Sequence, residues 1–217
     1  MTVPFDRQSL PPRPDLTFEQ ALWKQGLFLI GGIDEAGRGA WAGPVAAAVV
    51  VLPADVRMIE VLAGVRDSKE MSPAQRETWA GIIKTVALAW GVGMASHQEI
   101  DLLGILPATR LAAQRALVRL PTAPEHLLLD YLHLPDVFLP QTALVKGDAR
   151  SLSIACASVL AKTARDAQMV EQDTFYPAYG FARHKGYGTA HHQAALARLG
   201  PCPIHRLTFK PIRSLCQ

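Results

Sequence analysis

The segment that most constrains this chain is residues 27–53, LFLIGGIDEAGRGAWAGPVAAAVVVLP. Two apolar runs, LFLIGGI and VAAAVVVLP, flank a loop rich in glycine, and both read as buried strands. So tight a connection predicts an antiparallel pair. Asp34 and Glu35 close the first run. Two adjacent carboxylates at the end of an apolar strand repel each other, and each costs several kcal/mol if desolvated alone. A hard divalent ion such as Mg2+ answers that need, because it takes oxygen ligands and keeps water or phosphate in its other positions. Taken alone, an Asp-Glu pair is more often an ordinary solvated turn.

The rest of the chain extends the sheet. SPAQRETWAGIIKTV opens with an N-cap serine and Pro73 at the first helical position, and predicts a helix. TVALAWGVGMA reads as a third strand. HQEIDLLGILPATRLAAQRALVRL is helical on both sides of Pro107, which either kinks it or starts a second helix. HLLLDYLHLP and VFLPQTALV read as further strands. SLSIACASVLAKTARDAQMV carries small residues along one face, as a helix packed closely on a sheet would. Three sequential strands followed by strands alternating with helices predict a mixed α/β sheet. Residues 1–26, with four prolines and the amphipathic stretch LTFEQALWKQ, read as an N-terminal extension, 27–172 as the core, and 173–217 as a basic C-terminal helical segment.

Charge and cysteine content narrow the function classes. The net charge of +3 hides an asymmetry, because no acid follows Asp173. The last 44 residues carry six bases (Arg183, Lys185, Arg198, Arg206, Lys210 and Arg213) and four histidines, which predicts attraction to a polyanion unless this is merely a solvated basic face. Three cysteines with no C-x-x-C pair argue against a disulfide framework or a zinc knuckle and favour a reducing compartment. The N-terminus lacks a signal-peptide pattern and no apolar run is long enough to span a bilayer, so a cytoplasmic protein with no membrane association is expected.

Further carboxylates raise the odds of chemistry at Asp34. Asp130 interrupts the apolar run LLLDYL, where a buried strand rarely accepts an unpaired aspartate. Asp148 lies in KGDARS just before a helix, a position that would equally suit an N-cap. Carboxylates at three strand ends can converge on one or two ions, which would activate water and template in-line attack on phosphorus. The loop from Gly37 to Gly43 allows close approach of a nucleic-acid strand, with Arg38 near a phosphate. It matches neither a dinucleotide fingerprint nor a phosphate loop. Tyr187, between glycines in the basic region, could stack on a sugar or base.

The motifs GIDEAGRG-x-x-AGPV, DSK, KGD-x-x-x-x-SIA-x-AS-x-x-AK-x-x-RD, HKGYGT-x-x-H and HR-x-x-F resemble those of type 2 ribonuclease H, the ribonuclease HII family, over about residues 28 to 211. The resemblance implies a ribonuclease H-like mixed five-stranded sheet flanked by helices, with a C-terminal helical segment. It implies hydrolysis of the RNA strand of RNA–DNA hybrids and incision 5′ of single ribonucleotides in duplex DNA, leaving 3′-hydroxyl and 5′-phosphate ends. Asp34, Glu35, Asp130 and Asp148 would be the metal-binding and catalytic carboxylates, with Mg2+ or Mn2+ as one or two ions. Gly37, Arg38 and Gly39 would recognise the 2′-hydroxyl largely through backbone, Tyr187 would pack on the neighbouring deoxyribose, and Lys69 and Lys146 would contact phosphates. A monomer is expected; a sliding clamp is a possible partner that the tail SLCQ does not reveal.

The chain departs from the family pattern at Ala40 (where proline is frequent), at Tyr131 (where glycine often follows the aspartate) and at Gly104 (where asparagine is common). The Tyr131 ring beside Asp130 bears on access and substrate preference. Asp166, four residues after Lys162, reads as its helical partner rather than a fifth ligand. His191, His192, Cys202 and His205 fit no standard zinc spacing. Two other classes stay open: a hybrid-binding module without catalysis, and a structure-specific DNA nuclease.

Overall fold

The computed structural model describes residues 10–215; Cys216 and the first nine residues of the expected extension lie outside them. Five strands, β1 (Ile30–Ala36), β2 (Val45–Val51), β3 (Ala89–Ala95), β4 (His126–Asp130) and β5 (Gln141–Leu144), form one sheet in the order β3-β2-β1-β4-β5. As expected, β1 and β2 pair antiparallel, with Asp34 opposite Ala48; β2 and β3 are antiparallel, while β1, β4 and β5 run parallel.

The helices are α1 (Thr17–Trp23), α2 (Met58–Val61), α3 (Pro73–Val86), α4 (His97–Leu103), α5 (Ile105–Leu117), α6 (Leu152–Phe175), α7 (Phe181–His184), α8 (Ala190–Leu199) and α9 (Lys210–Arg213). α6 and α3 cover one face of the sheet, and α5 the other. Alternation along β1 decides which side chains meet α6. Gly32, Asp34 and Ala36 share that face. Gly32 has no side chain to hold α6 off, since a Cβ there would stand 2.5 Å from the Ser153 Oγ and the Ile154 amide nitrogen. The aspartate two residues on is thereby pressed against the helix.

Several boundaries differ from the sequence reading, each for a local reason. β1 starts at Ile30 rather than Leu27, because the amides of Phe28 and Leu29 donate to Glu125 Oε2 at 2.7 and 2.8 Å. Asp130 ends β4 rather than interrupting it, and Tyr131, at φ 50°, turns the chain away. The break between α4 and α5 falls at Gly104, at φ 85°; Pro107 sits in the first turn of α5, where no intrahelical N–H is required. α6 continues to Phe175, through residue 172, where the sequence reading divides core from C-terminal segment.

The N-terminal extension is docked. Glu19 of α1 is buried, and its Oε1 accepts bonds from Ser151 Oγ (2.7 Å), Ser153 N (3.0 Å) and Ser153 Oγ (2.6 Å). Ser151 is the N-cap of α6 and closes the turn that carries Asp148. At the other end, Tyr179 and Phe181 stack at 5.4 Å within a small core that includes His184, His192 and His205. Among the described residues, no helix is long and apolar enough to cross a membrane.

Candidate active site

At the C-terminal ends of β1 and β4, oxygens of Asp34, Asp130 and Asp148 lie within 4.8 Å of one another. Each is placed by backbone. Asp34 Oδ1 accepts from the Glu35 amide at 2.7 Å, and Asp130 Oδ1 accepts from the Gly147 amide at 2.7 Å, which ties the β4 end to the turn bearing Asp148. Asp148 Oδ1 is buried without a hydrogen-bond partner.

Glu35 is not in that triad. Side-chain alternation along β1 directs it away from Asp34, and its Oε1 meets Arg38 Nη1 at 3.2 Å while its buried Oε2 has no partner. It still lines the same cleft, of about 610 Å3, together with Asp34 and Asp130.

Electrostatics favours a cation at the cluster. Burial, then the charges of Glu35 and Asp130, hold the Asp34 carboxyl well above its usual range. Burial and then Asp148 raise Asp130; burial and then Asp67 raise Asp148. Burial also raises Glu35, although Arg38 opposes it. Counter-charge at the triad is partial: Lys69 Nζ stands 3.6 Å from Asp148 Oδ2 on a side chain that is 71% exposed, and Lys146 opposes the rise at Asp130 and Asp148 from farther off. Three converging carboxylates, with orphaned oxygens on Asp148 and Glu35, fit the hard oxygen-donor set of Mg2+ or Mn2+.

The expected nucleic-acid residues divide. Gly37, Arg38, Gly39, Lys69 and Tyr187 line the cleft with the carboxylates. Lys146 does not; it is exposed, in the left-handed region at φ 57°, and borders a neighbouring groove with Arg66 and Asp67. The tail bases divide too. Arg183 and Lys185 line the cleft, whereas Arg206 has no exposed surface and is turned into the fold. Burial pulls its guanidinium down to about 9, still protonated at neutral pH.

Arg76, Ser158 and Arg165 belong to the site and were given no role from sequence. Arg76 Nη2 and Lys162 Nζ both pair with Asp166, at 3.0 and 2.8 Å, on the cleft wall, so Asp166 is a structural partner as expected, with a second cation. Ser158 lies beside Asp34 and opposes the rise of its carboxyl, and its Oγ stands 2.9 Å from Ser68 Oγ. Arg165 and Arg206 grip the carbonyls of the loop that begins at Gly37. The sequence signal for Arg165 was a charge on the otherwise small-residue face of α6.

Comparison with known proteins gives a consistent result. A family model described as Ribonuclease HII matches residues 31–212. A protein of Chloroflexus aurantiacus named Ribonuclease HII is 55% identical over 200 residues, 92% of this chain and 94% of the relative. The ribonuclease H2 of Pyrococcus horikoshii superposes with a TM-score of 0.67 at 26% identity, over 86% of this chain and 96% of its own. The enzyme in the PCNA:RNase HII complex from Archaeoglobus fulgidus gives 0.70 at 26% identity, over 87% and 97%.

Proposed function

This chain belongs to the ribonuclease HII family, a type 2 ribonuclease H with endonuclease activity on RNA–DNA hybrids, and on that premise we propose that it also incises duplex DNA 5′ of single embedded ribonucleotides in a reaction that depends on Mg2+ or Mn2+. The observation that carries this reading is the convergence of Asp34, Asp130 and Asp148 within 4.8 Å, with Asp34 and Asp130 lining one cleft beside the loop Gly37–Gly39 and Tyr187.

Asp34, Asp130 and Asp148 would hold the ion, with Glu35 completing the set from the cleft wall. A bound divalent cation supplies Lewis-acid stabilisation of phosphoryl oxygens and lowers the pKa of a bound water. The protein's own residues do the rest. Gly37, Arg38 and Gly39 present backbone to the ribose, Tyr187 packs against the adjoining deoxyribose, and Lys69 and Lys146 meet backbone phosphates on either side. Tyr187 is held for that role by cations beneath its ring, with Lys162 Nζ and the Arg165 guanidinium each 5.2 Å from its centroid. A sliding clamp is a candidate second partner.

The test is a nicking assay on duplex DNA with one ribonucleotide, run beside a long hybrid in Mg2+ and in Mn2+. Cleavage 5′ of the ribonucleotide is expected, lost with EDTA and in Asp34→Asn. Undiminished cutting after either treatment rejects the metal-dependent account, and an all-DNA duplex cut equally well rejects ribonucleotide selection.

A further inference from the structure

Arg165 and Arg206 are the largest side chains with no exposed surface, and neither forms an ion pair among the described residues. A buried charge is tolerated only when its donors are satisfied. Here the acceptors are backbone carbonyls. Arg206 donates from Nε to Gly43 O at 3.0 Å, from Nη1 to Arg38 O at 2.9 Å, and from Nη2 to Gly37 O at 2.8 Å and Pro44 O at 3.0 Å. Arg165 donates to Pro44 O at 2.9 Å, Ala42 O at 3.2 Å and Lys185 O at 2.9 Å.

Peptide geometry carries this inward grip to the outer side of the loop. In a trans peptide unit the C=O and the N–H point in opposite directions, and the structure has no cis bonds. The carbonyls of Gly37 and Arg38 both point at Arg206. The N–H groups that complete those two units belong to Arg38 and Gly39, and they therefore point away from Arg206, on residues that line the cleft. Gly37, at φ 94°, lets successive amides face the same way, as in an anion-binding nest. Neither amide donates to an acceptor among the described residues. A cation on the carbonyl side of a peptide also polarises it and strengthens its N–H as a donor.

We propose that Arg206 is a positioning residue for substrate selection: from behind the loop it fixes and polarises the Arg38 and Gly39 amides as a paired donor to the 2′-hydroxyl oxygen of the ribonucleotide. This rests on the reading above that the loop faces the ribose. Arg165 joins the same loop to the Lys185 carbonyl, two residues before Tyr187, and so keeps the two sides of the sugar site at a fixed separation.

The experiment compares affinities of the full chain, on an Asp34→Asn background, for a duplex with one ribonucleotide and for the same duplex in all-DNA form. Arg206→Lys keeps the charge but loses the fork. The ribonucleotide preference is expected to fall about tenfold, with all-DNA affinity changed less than about twofold. With Asp34 intact, the variant should raise KM for the single-ribonucleotide duplex and leave kcat near the parent value. A folded Arg206→Lys that keeps the parent preference overturns the proposal, as does an equal loss on both duplexes, which would mean that the amides serve a phosphate. If circular dichroism shows that Arg206→Lys does not fold, amide NMR of the Arg206 protein decides. The Arg38 and Gly39 N–H signals should move downfield with the ribonucleotide duplex and not with DNA, and the same response to both overturns it. Failure of the underlying reading looks different, because the unmutated enzyme would then not nick the single-ribonucleotide duplex at all.

Discussion

Gly32 lies so close to Ile154 that a Cβ on it would come within 2.5 Å of the Ile154 amide nitrogen. That nitrogen is backbone in the first turn of α6, so a methyl group could be accommodated only by moving the helix. Gly32→Ala is expected to destabilise the protein by roughly 3 kcal/mol, at the upper end for overpacking. It should also lower activity in the fraction that folds, because Asp34 is two residues away on the same face. Thermal melts together with specific activity check both; an unchanged melt would mean that α6 is free to retreat.

Asp34 is held above the usual carboxylate range by burial and by its acidic neighbours. Removing its charge therefore relieves the fold while disabling the site. Asp34→Asn is expected to be at least as stable as the parent without metal, by up to about 1 kcal/mol, and to lose at least about a hundredfold in kcat. Urea unfolding in EDTA and single-turnover nicking measure the two effects.

The same raised values set a pH dependence. Between the unfolded carboxylate value near about 4 and the raised folded values of Asp34, Asp130 and Asp148, the folded state holds more protons than the unfolded chain. The carboxylate contribution to metal-free stability therefore falls as pH rises through that window. A divalent cation binds the ionised cluster and competes with protons. The Mg2+-induced rise in Tm should accordingly grow with pH across the window, and a rise independent of pH would contradict it.

His192 and His205 carry the opposite sign. Their Nε2 atoms are 3.0 Å apart in the C-terminal core, and burial lowers both to about 4. Below the unfolded value of about 6.5, the unfolded chain binds protons that the folded state refuses, so stability falls as pH drops from there to about 4. The loss is on the order of a few kcal/mol for the pair. Comparing urea midpoints of the parent and His192→Gln across this range isolates the effect; the variant should show the shallower slope.

Tyr131 occupies a left-handed conformation at φ 50° and is 75% exposed as a residue. Tyr131→Gly should remove about 1 kcal/mol of backbone strain, partly offset by the greater freedom of glycine when unfolded. The variant is expected to be equal to or slightly more stable than the parent in chemical denaturation. A marked loss of stability would show that the ring packs against the fold.

Much of the framework was legible from the residues themselves. The antiparallel β1–β2 pair, the five strands and α6 follow from apolar runs and turn chemistry, and the carboxylates were found because Asp130 stands out at the end of an apolar run. Glu35 was grouped with the aspartates by the motif it shares with Asp34; strand alternation sets its side chain apart from the triad, yet it lines the same cleft. Arg206 was counted among the bases of the C-terminal end because composition reports charge and not direction; its burial depends on carbonyls more than 160 positions earlier, a pairing no local pattern encodes.

The bonds from Glu19 to Ser151 and Ser153 span 132 and 134 positions. At ribosomal rates of about 5–20 residues per second, α1 waits on the order of 7 to 27 seconds before its partner has even been synthesised. Through that interval the chain has made β1 and β2, while the turn bearing Asp148 and the start of α6 do not yet exist. α1 is thus made before β1 and β2 yet locked in place after them, by the same helix start that follows the Asp148 turn.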